Sequence, residues 1–139
     1  MADFSKIPPL SLYFHIPWCV KKCPYCDFNS HTLKNALPQQ DYIQKLLLDL
    51  AKDRGFVQNR MIHSIFIGGG TPSLFDPEII RILLSEAAFL TPFVADIEIT
   101  LEANPGTVDE SRFVGFRQAG VNRLSLGIQS LQDDKLQKL

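Results

Sequence analysis

Cys19-Val20-Lys21-Lys22-Cys23-Pro24-Tyr25-Cys26 holds every cysteine of the chain and follows directly on an apolar run, Leu10 to Ile16, that reads as a strand. Three thiols in one short loop can wrap their side chains round a single metal centre, and soft thiolates favour zinc, copper(I) or iron–sulfur clusters. A structural zinc site is normally closed by four protein ligands, and a four-iron cluster is usually held by four cysteines. Here one ligand is missing. On spacing alone three readings stay open: a cluster with one iron left free for a small molecule, a zinc site whose fourth ligand is His15, His31 or His63, or three unconnected buried thiols.

Outward from that loop the chain alternates strand and helix four times. Pro17 ends the first strand, Leu10 to Ile16, because it has no backbone donor to continue a ladder. The stretch from Pro17 to Leu37 is long for a strand-to-helix connection, which marks it as functional. Pro24 favours an extended Cys23 and so helps fan the thiolates apart. A helix follows from about Gln39 to Arg54, with Tyr42, Ile43, Leu46, Leu47, Leu50 and Ala51 at helical spacing and Gly55 where a cap belongs. Strand two, Ser64 to Ile67, runs straight into Gly68-Gly69-Gly70. Asp76 reads as an N-cap with Pro77 at the first helical position, opening a helix that buries Ile79, Ile80, Leu83, Leu84, Ala87 and Ala88.

Strand three, Asp96 to Glu102, puts Ile97, Ile99 and Leu101 on one side and Glu98, Thr100 and Glu102 on the other. Thr107-Val108-Asp109-Glu110 reads as a capping box in front of a third helix, which ends near Gly120. Strand four is Arg123 to Ile128. This rhythm predicts an α/β fold with a parallel sheet and crossover helices.

The cysteine loop, the three glycines, Glu102 and Gln129 all lie at or just past the C-terminal end of a strand. In parallel α/β architectures that rim is where ligands bind. The glycines allow a ligand close to the backbone, or simply a tight strand exit. Glu102 suits an ammonium or hydroxyl group, or else solvent. Tyr13, taken alone, reads as core.

With 139 residues, 45% of them hydrophobic, the chain fits one ordinary domain. Its 14 Lys and Arg against 15 Asp and Glu give a formal net charge of -1, and no basic block points to a nucleic-acid partner. Met1 to Lys6 carries no basic head before an apolar run, and no segment approaches the ~18 apolar residues of a membrane span. The expectation is a cytoplasmic protein. Clustered thiols in odd number suit metal binding in a reducing compartment better than a disulfide framework.

The spacing Cys-x3-Cys-x2-Cys, with Tyr25 before the last cysteine, resembles the signature of the radical S-adenosylmethionine (SAM) superfamily. The wider stretch Leu12-Tyr13-Phe14-His15-Ile16-Pro17-Trp18-Cys19 through Cys26-Asp27-Phe28-Asn29-Ser30 is similar to the oxygen-independent coproporphyrinogen III oxidase-like family, and within it to the heme chaperone (HemW) branch. The likeness continues through Ile67 to Ser73, Leu101 to Gly106 and Gly120 to Ser130, in the family's order.

The resemblance implies the N-terminal part of a partial (β/α)6 radical SAM barrel, about four parallel strands with crossover helices. Family members are much longer, and Gln132 to Leu139 reads as a helix just begun, so a larger protein is expected, with Arg123 to Ile128 left as an exposed apolar edge. The resemblance further implies that Cys19, Cys23 and Cys26 hold three irons of a 4Fe-4S cluster. The fourth iron takes the amino nitrogen and carboxylate oxygen of SAM, whose carbon–sulfur bond breaks on reduction to give a 5′-deoxyadenosyl radical. Gly68, Gly69, Gly70 and Thr71 would line the methionine end of SAM, Glu102 and Gln129 its pocket, and Tyr13 and Tyr25 the region of cluster and adenine.

True coproporphyrinogen oxidases carry a further cysteine two positions after the third ligand. Phe28 stands there in this chain, which favours the heme chaperone branch. Implied partners are heme or a porphyrin as cargo, a heme-acceptor protein, a flavodoxin-type reductant and a second copy in a homodimer. Heme contacts are expected beyond Leu139. The alternatives are a coproporphyrinogen III oxidase and a zinc-stabilised binding module.

Overall fold

The computed structural model describes residues 7–137. The opening segment Met1 to Lys6, read above for a leader, and the last two residues lie outside that range. The elements in chain order are β1 (Leu10–Ile16), β2 (Trp18–Cys19), β3 (His31–Thr32), α1 (Gln39–Val57), β4 (Ile62–Gly69), α2 (Pro77–Leu90), β5 (Phe93–Ala103), α3 (Glu110–Ala119), β6 (Arg123–Leu126) and α4 (Asp133–Leu136). Single 3-10 turns at Pro72–Leu74 and Pro105–Thr107 precede α2 and α3.

β1, β4, β5 and β6 form one parallel sheet in that spatial order, each strand beside the next one reached through a helix. This is the expected architecture. β2 and β3 add a two-stranded parallel pair inside the cysteine loop, too short for sequence periodicity to reveal.

Alternation gives the sheet two unlike faces, because successive residues of a strand point to opposite sides. Paired positions Leu12, Ile65 and Ile99 share one face, as do Phe14, Ile67 and Leu101. Ile67 and Leu101 are fully buried there, and they join Ile80, Leu83 and Phe75 in one core. The opposite face carries Ser11, Ser64 and Glu98 in one rung and Tyr13, Phe66, Thr100 and Arg123 in the next. The Ser11 and Ser64 hydroxyls bond at 2.7 Å, and Arg123 Nη1 donates to Glu98 Oε1 at 3.4 Å and to Thr100 Oγ1 at 3.3 Å.

Several element ends differ from expectation. α1 runs through Gly55 to Val57, and Gln58 takes the left-handed cap at φ 54°. Val57 is buried one heptad beyond Leu50, and Arg60 bonds the carbonyls of Val57 and Phe56, so core packing and carbonyl capping carry the helix past the glycine. Ala51 and Ala88 lie on exposed positions rather than in their helices' buried stripes. Asp76 does stand at the N-cap of α2 with Pro77 after it. Its carboxylate, however, takes the Gln39 amide at 3.1 Å, while its backbone N–H donates to Gln39 Oε1, which latches the starts of α1 and α2 together.

The cap of α3 is Asp109, whose Oδ1 accepts from Arg112 N at 2.9 Å. Thr107, expected as the cap, instead closes the Pro105 turn and meets the Ser73 hydroxyl at 2.7 Å. β4 and β5 are longer than expected, and β6 stops at Leu126. Leu124 and Leu126 of β6 are partly exposed, and among the described residues β5 is its only strand neighbour. No helix of the described residues is long and apolar enough to cross a membrane.

Candidate functional site: a cysteine-lined cleft at the strand ends

Cys19 is placed by its neighbour. The Trp18 ring packs edge-on against Tyr42 at 4.6 Å and near Phe75 at 6.0 Å, and Tyr42 Oη donates to His15 O at 2.8 Å. This anchors the start of the loop on α1 and leaves Cys19 buried. The return of the loop pairs with it: His31 N donates to Pro17 O at 2.7 Å and Leu33 N to Cys19 O at 2.8 Å. Between them Cys26 N donates to Cys23 O at 3.1 Å, so Pro24 and Tyr25 are the central residues of a tight turn. Proline at the first of these positions presets its φ. Cys23 is the first residue of that turn and Cys26 the last, which fixes the spacing of the second and third cysteines. All three thiols are free, and Cys23 and Cys26 are half-buried.

Tyr25, largely exposed, turns its hydroxyl to Cys23. That contact first, then burial and the thiolate charge of Cys23 and Cys26, raises its pKa above the usual phenol value.

The glycines make room for protein as well as for a cleft. A Cβ on Gly70 would stand 2.6 Å from Trp18 O, and this close approach lets Gly70 N reach Ile16 O at 2.8 Å and Thr71 N reach Trp18 O at 2.7 Å. The exit of β4 is thereby stitched to the cysteine segment. Gly69 has φ +122°, and a Cβ there would meet the His15 ring at 2.7 Å. Gly68 leaves space for Glu102, whose Oε2 accepts from Gly69 N at 3.0 Å.

These parts enclose a cleft of about 710 Å³. Cys19, Cys23, Tyr25 and Cys26 form one wall, Gly69, Gly70 and Thr71 another, and Glu102 and Gln129 close the side towards β6. Gln129 holds φ 62° within a turn in which Ser130 N bonds Ile128 O at 2.7 Å. A left-handed non-glycine residue of this kind stores strain of about 1–3 kcal/mol, a feature that clusters at ligand sites.

Gly68 and Tyr13 do not line the cleft. Tyr13 lies one rung below it, stacked on Phe66 at 6.2 Å with its hydroxyl 2.9 Å from His15 Nδ1. Burial first, then the charge of Glu102, raises its pKa. Asn104 and Ser125 line the cleft and escaped the sequence reading. Parity was the available signal, since Asn104 falls two residues after Glu102 and Ser125 pairs with Glu102 across the ladder. Phe28 and Val20, both exposed, add an apolar edge beside the cysteines.

The donor set can be tested against a metal. In a mononuclear zinc site every sulfur lies about 2.3 Å from one ion, whereas each thiolate of an iron–sulfur cluster serves a different iron and the sulfurs stay apart. Among the described residues no three His, Cys, Asp or Glu side chains converge on a single point. Of the candidate histidines, His15 has both ring nitrogens engaged, His63 sits near the start of β4, about 20 Å from Gly69 at strand rise, and His31 is exposed on β3, paired with Trp18 at the start of the loop. The thiol loop with its adjoining cleft fits a cluster with an open coordination position and a small ligand beside it.

Residues 13–139 match the family model of the radical SAM superfamily. The chain belongs to the radical SAM superfamily. This radical SAM chain is 61% identical over 138 residues to the heme chaperone HemW of Haemophilus influenzae, covering 96% of this chain and 36% of that protein. It is 57% identical over 134 residues to the Escherichia coli heme chaperone HemW, covering 96% and 35% respectively. Among solved structures, coproporphyrinogen III oxidase (HemN) from Escherichia coli, described as a radical SAM enzyme, superposes with a TM-score of 0.73 at 30% identity, over 93% of this chain and 30% of that one. The chain thus spans about a third of the length of these curated relatives.

Proposed function

We propose that the chain is the cluster- and SAM-binding portion of a radical SAM heme chaperone, which binds heme as cargo and passes it to an acceptor protein. The observation that carries this reading is that Cys19, Cys23 and Cys26 line the same cleft as Glu102 and Gln129. Cys19, Cys23 and Cys26 hold three irons of a 4Fe-4S cluster, leaving one iron for SAM. When bound and reduced, by a flavodoxin-type donor in this reading, the cluster supplies the electron that cleaves the sulfonium of SAM.

The chain's own residues do the positioning. Gly69 and Gly70 keep their wall free of side chains, Thr71 offers a hydroxyl and Glu102 a carboxylate for the ammonium or hydroxyls of SAM, and Gln129 an amide from the same side as Glu102. Tyr25 turns its hydroxyl to Cys23, and Cys19 is buried at the start of the loop. High identity to two HemW heme chaperones supports the chaperone branch over the oxidase. Phe28 on the cleft wall, where the oxidases carry a further cysteine, supports it again. The structural likeness to coproporphyrinogen III oxidase keeps oxidative decarboxylation of a porphyrinogen as the second reading.

Anaerobic reconstitution with iron and sulfide, followed by electron paramagnetic resonance of the reduced protein, tests the site. The expected signal is that of a 4Fe-4S cluster, altered by added SAM and lost in Cys19→Ala, Cys23→Ala and Cys26→Ala. Four irons and four sulfides retained in Cys23→Ala would falsify the ligand assignment, and tight zinc with no cluster would leave only the binding module. Heme titration of the full-length protein, read in the Soret band and followed by transfer to an apo-acceptor, separates chaperone from oxidase. Conversion of coproporphyrinogen without heme uptake would favour the oxidase.

A further inference from the structure

The returning arm of the cysteine loop offers three consecutive backbone carbonyls, and each is held by a basic side chain. Lys22 Nζ donates to Phe28 O and to Ser30 O, both at 3.3 Å. His15 Nε2 lies 2.7 Å from Asn29 O. A carbonyl can only accept, so Nε2 carries the proton, and in the neutral ring Nδ1 is then the acceptor. Tyr13 Oη stands 2.9 Å from Nδ1 and donates to it. Gly69 seats the ring, since a Cβ there would lie 2.8 Å from Nδ1.

We propose that Tyr13, His15 and Lys22 form a clasp that sets the cysteine loop in its ligating shape before a cluster arrives, with the ring of His15 held between Asn29 O and the Tyr13 hydroxyl. The proposal rests on the reading of Cys19, Cys23 and Cys26 as cluster ligands and adds three positioning residues to it. None of the three belongs to the hydrophobic core, and Lys22 and Tyr13 are exposed, so their polar groups act on the loop rather than on the fold. Lys22 precedes Cys23, and the carbonyls it holds follow Cys26 by two and four residues, so its ammonium ties the two arms that carry the second and third thiols. Ordering a loop when its ligand binds costs backbone entropy and weakens affinity, and a loop ordered beforehand avoids that cost. Outer-shell partners of this kind typically change metal affinity about 10- to 100-fold when removed.

The metal-free chain gives the first test. Imidazole nitrogen resonances of His15 should report the Nε2–H tautomer in the wild type and in Tyr13→Phe, with the Nδ1 resonance shifted in the variant as its hydrogen bond is lost. Amide exchange at His31 and Leu33 should quicken in Lys22→Met. In the reconstituted protein, a ferrous chelator should extract iron about 10- to 100-fold faster from Lys22→Met and His15→Leu. His15→Gln, whose amide can still donate to Asn29 O, and Lys22→Arg should restore slow release.

Release as slow in Lys22→Met and Tyr13→Phe as in the wild type overturns the clasp and leaves the cluster reading standing. Failure of both conservative variants to rescue overturns it too, because a packing role would explain the loss. A wild type that takes up no cluster overturns the cluster reading itself. Should His15→Leu fail to fold, the exposed Tyr13 and Lys22 variants still decide.

Discussion

The two faces of the sheet are built from the same strands and do opposite work. On the helix side Phe14, Ile67 and Leu101 meet across three strands and are buried in one core with the helices. On the other side the neighbours of those residues are Tyr13, His15, Phe66, Gly68, Thr100 and Glu102, most of them linked by hydrogen bonds and leading up to the cysteine-lined cleft. The alternation of a parallel strand is thus used to divide stability from chemistry one residue at a time. Parallel sheets are usually apolar on both faces. Here one face carries polar groups and leads to the cysteine-lined cleft.

Adjacent residues of β5 give the sharpest test of that division. Leu101→Ala removes a fully buried side chain from the helix face and should cost about 2–5 kcal/mol of stability, read by chemical denaturation. Glu102→Gln, one residue on, should leave stability nearly unchanged, because its amide oxygen can still accept from Gly69 N. Its affinity for SAM, measured by calorimetry on the reconstituted protein, should fall about tenfold or more, as a charge-assisted contact becomes a neutral one. If the two variants lost stability equally, the division of labour between the faces would be wrong.

Gly70 lies where the division breaks down. Its hydrogen sits against the backbone of Trp18, which cannot swing aside like a flexible side chain, and the same contact seats Cys19. Gly70→Ala should therefore lower stability by about 1–3 kcal/mol and lower iron content as well. Stability lost with full iron content, or the reverse, would show that the glycine serves one side only.

Much of this was legible because strand ends announce themselves. The four main strands follow from apolar runs, and Cys19 to Cys26, Gly69, Glu102 and Gln129 were all placed on one rim by counting from those ends. The turn residues misled where tertiary contacts outweigh local preference. Gly55 reads as a cap, yet buried Val57 draws α1 past it. Thr107 reads as the first residue of a capping box, yet Asn104 Oδ1 and Pro105 fold that stretch into a separate turn and pass the cap to Asp109. The clasp on Phe28, Asn29 and Ser30 left no trace in the sequence, because it depends on a loop returning to β1 in space. Tyr13 does not line the cleft and is linked to the cysteine loop through His15 and Asn29 O.

The smallest effect concerns the outer layer and its response to acid. Asp109 begins α3 on the helix side, remote from the polar face in function, and its carboxylate accepts the backbone N–H of Arg112 and the hydroxyl of Ser111. Those bonds, the backbone one first, hold its pKa below the ordinary carboxylate value. A folded-state pKa below the unfolded one means that the charged form stabilises the fold. The contribution is complete above the unfolded value, about 3.9, and is lost as pH falls through the lower folded value. At pH 7 Asp109→Asn should therefore melt slightly below the wild type, since the amide oxygen caps less strongly than a carboxylate. Below about pH 4 the two melting curves should draw together as the wild-type carboxyl takes up its proton. Comparing the pair at each pH cancels other acidic groups, including Glu78 with its exposed partner Arg81. A gap that stays constant down to pH 3, or widens, would mean that the cap acts through shape and not through charge.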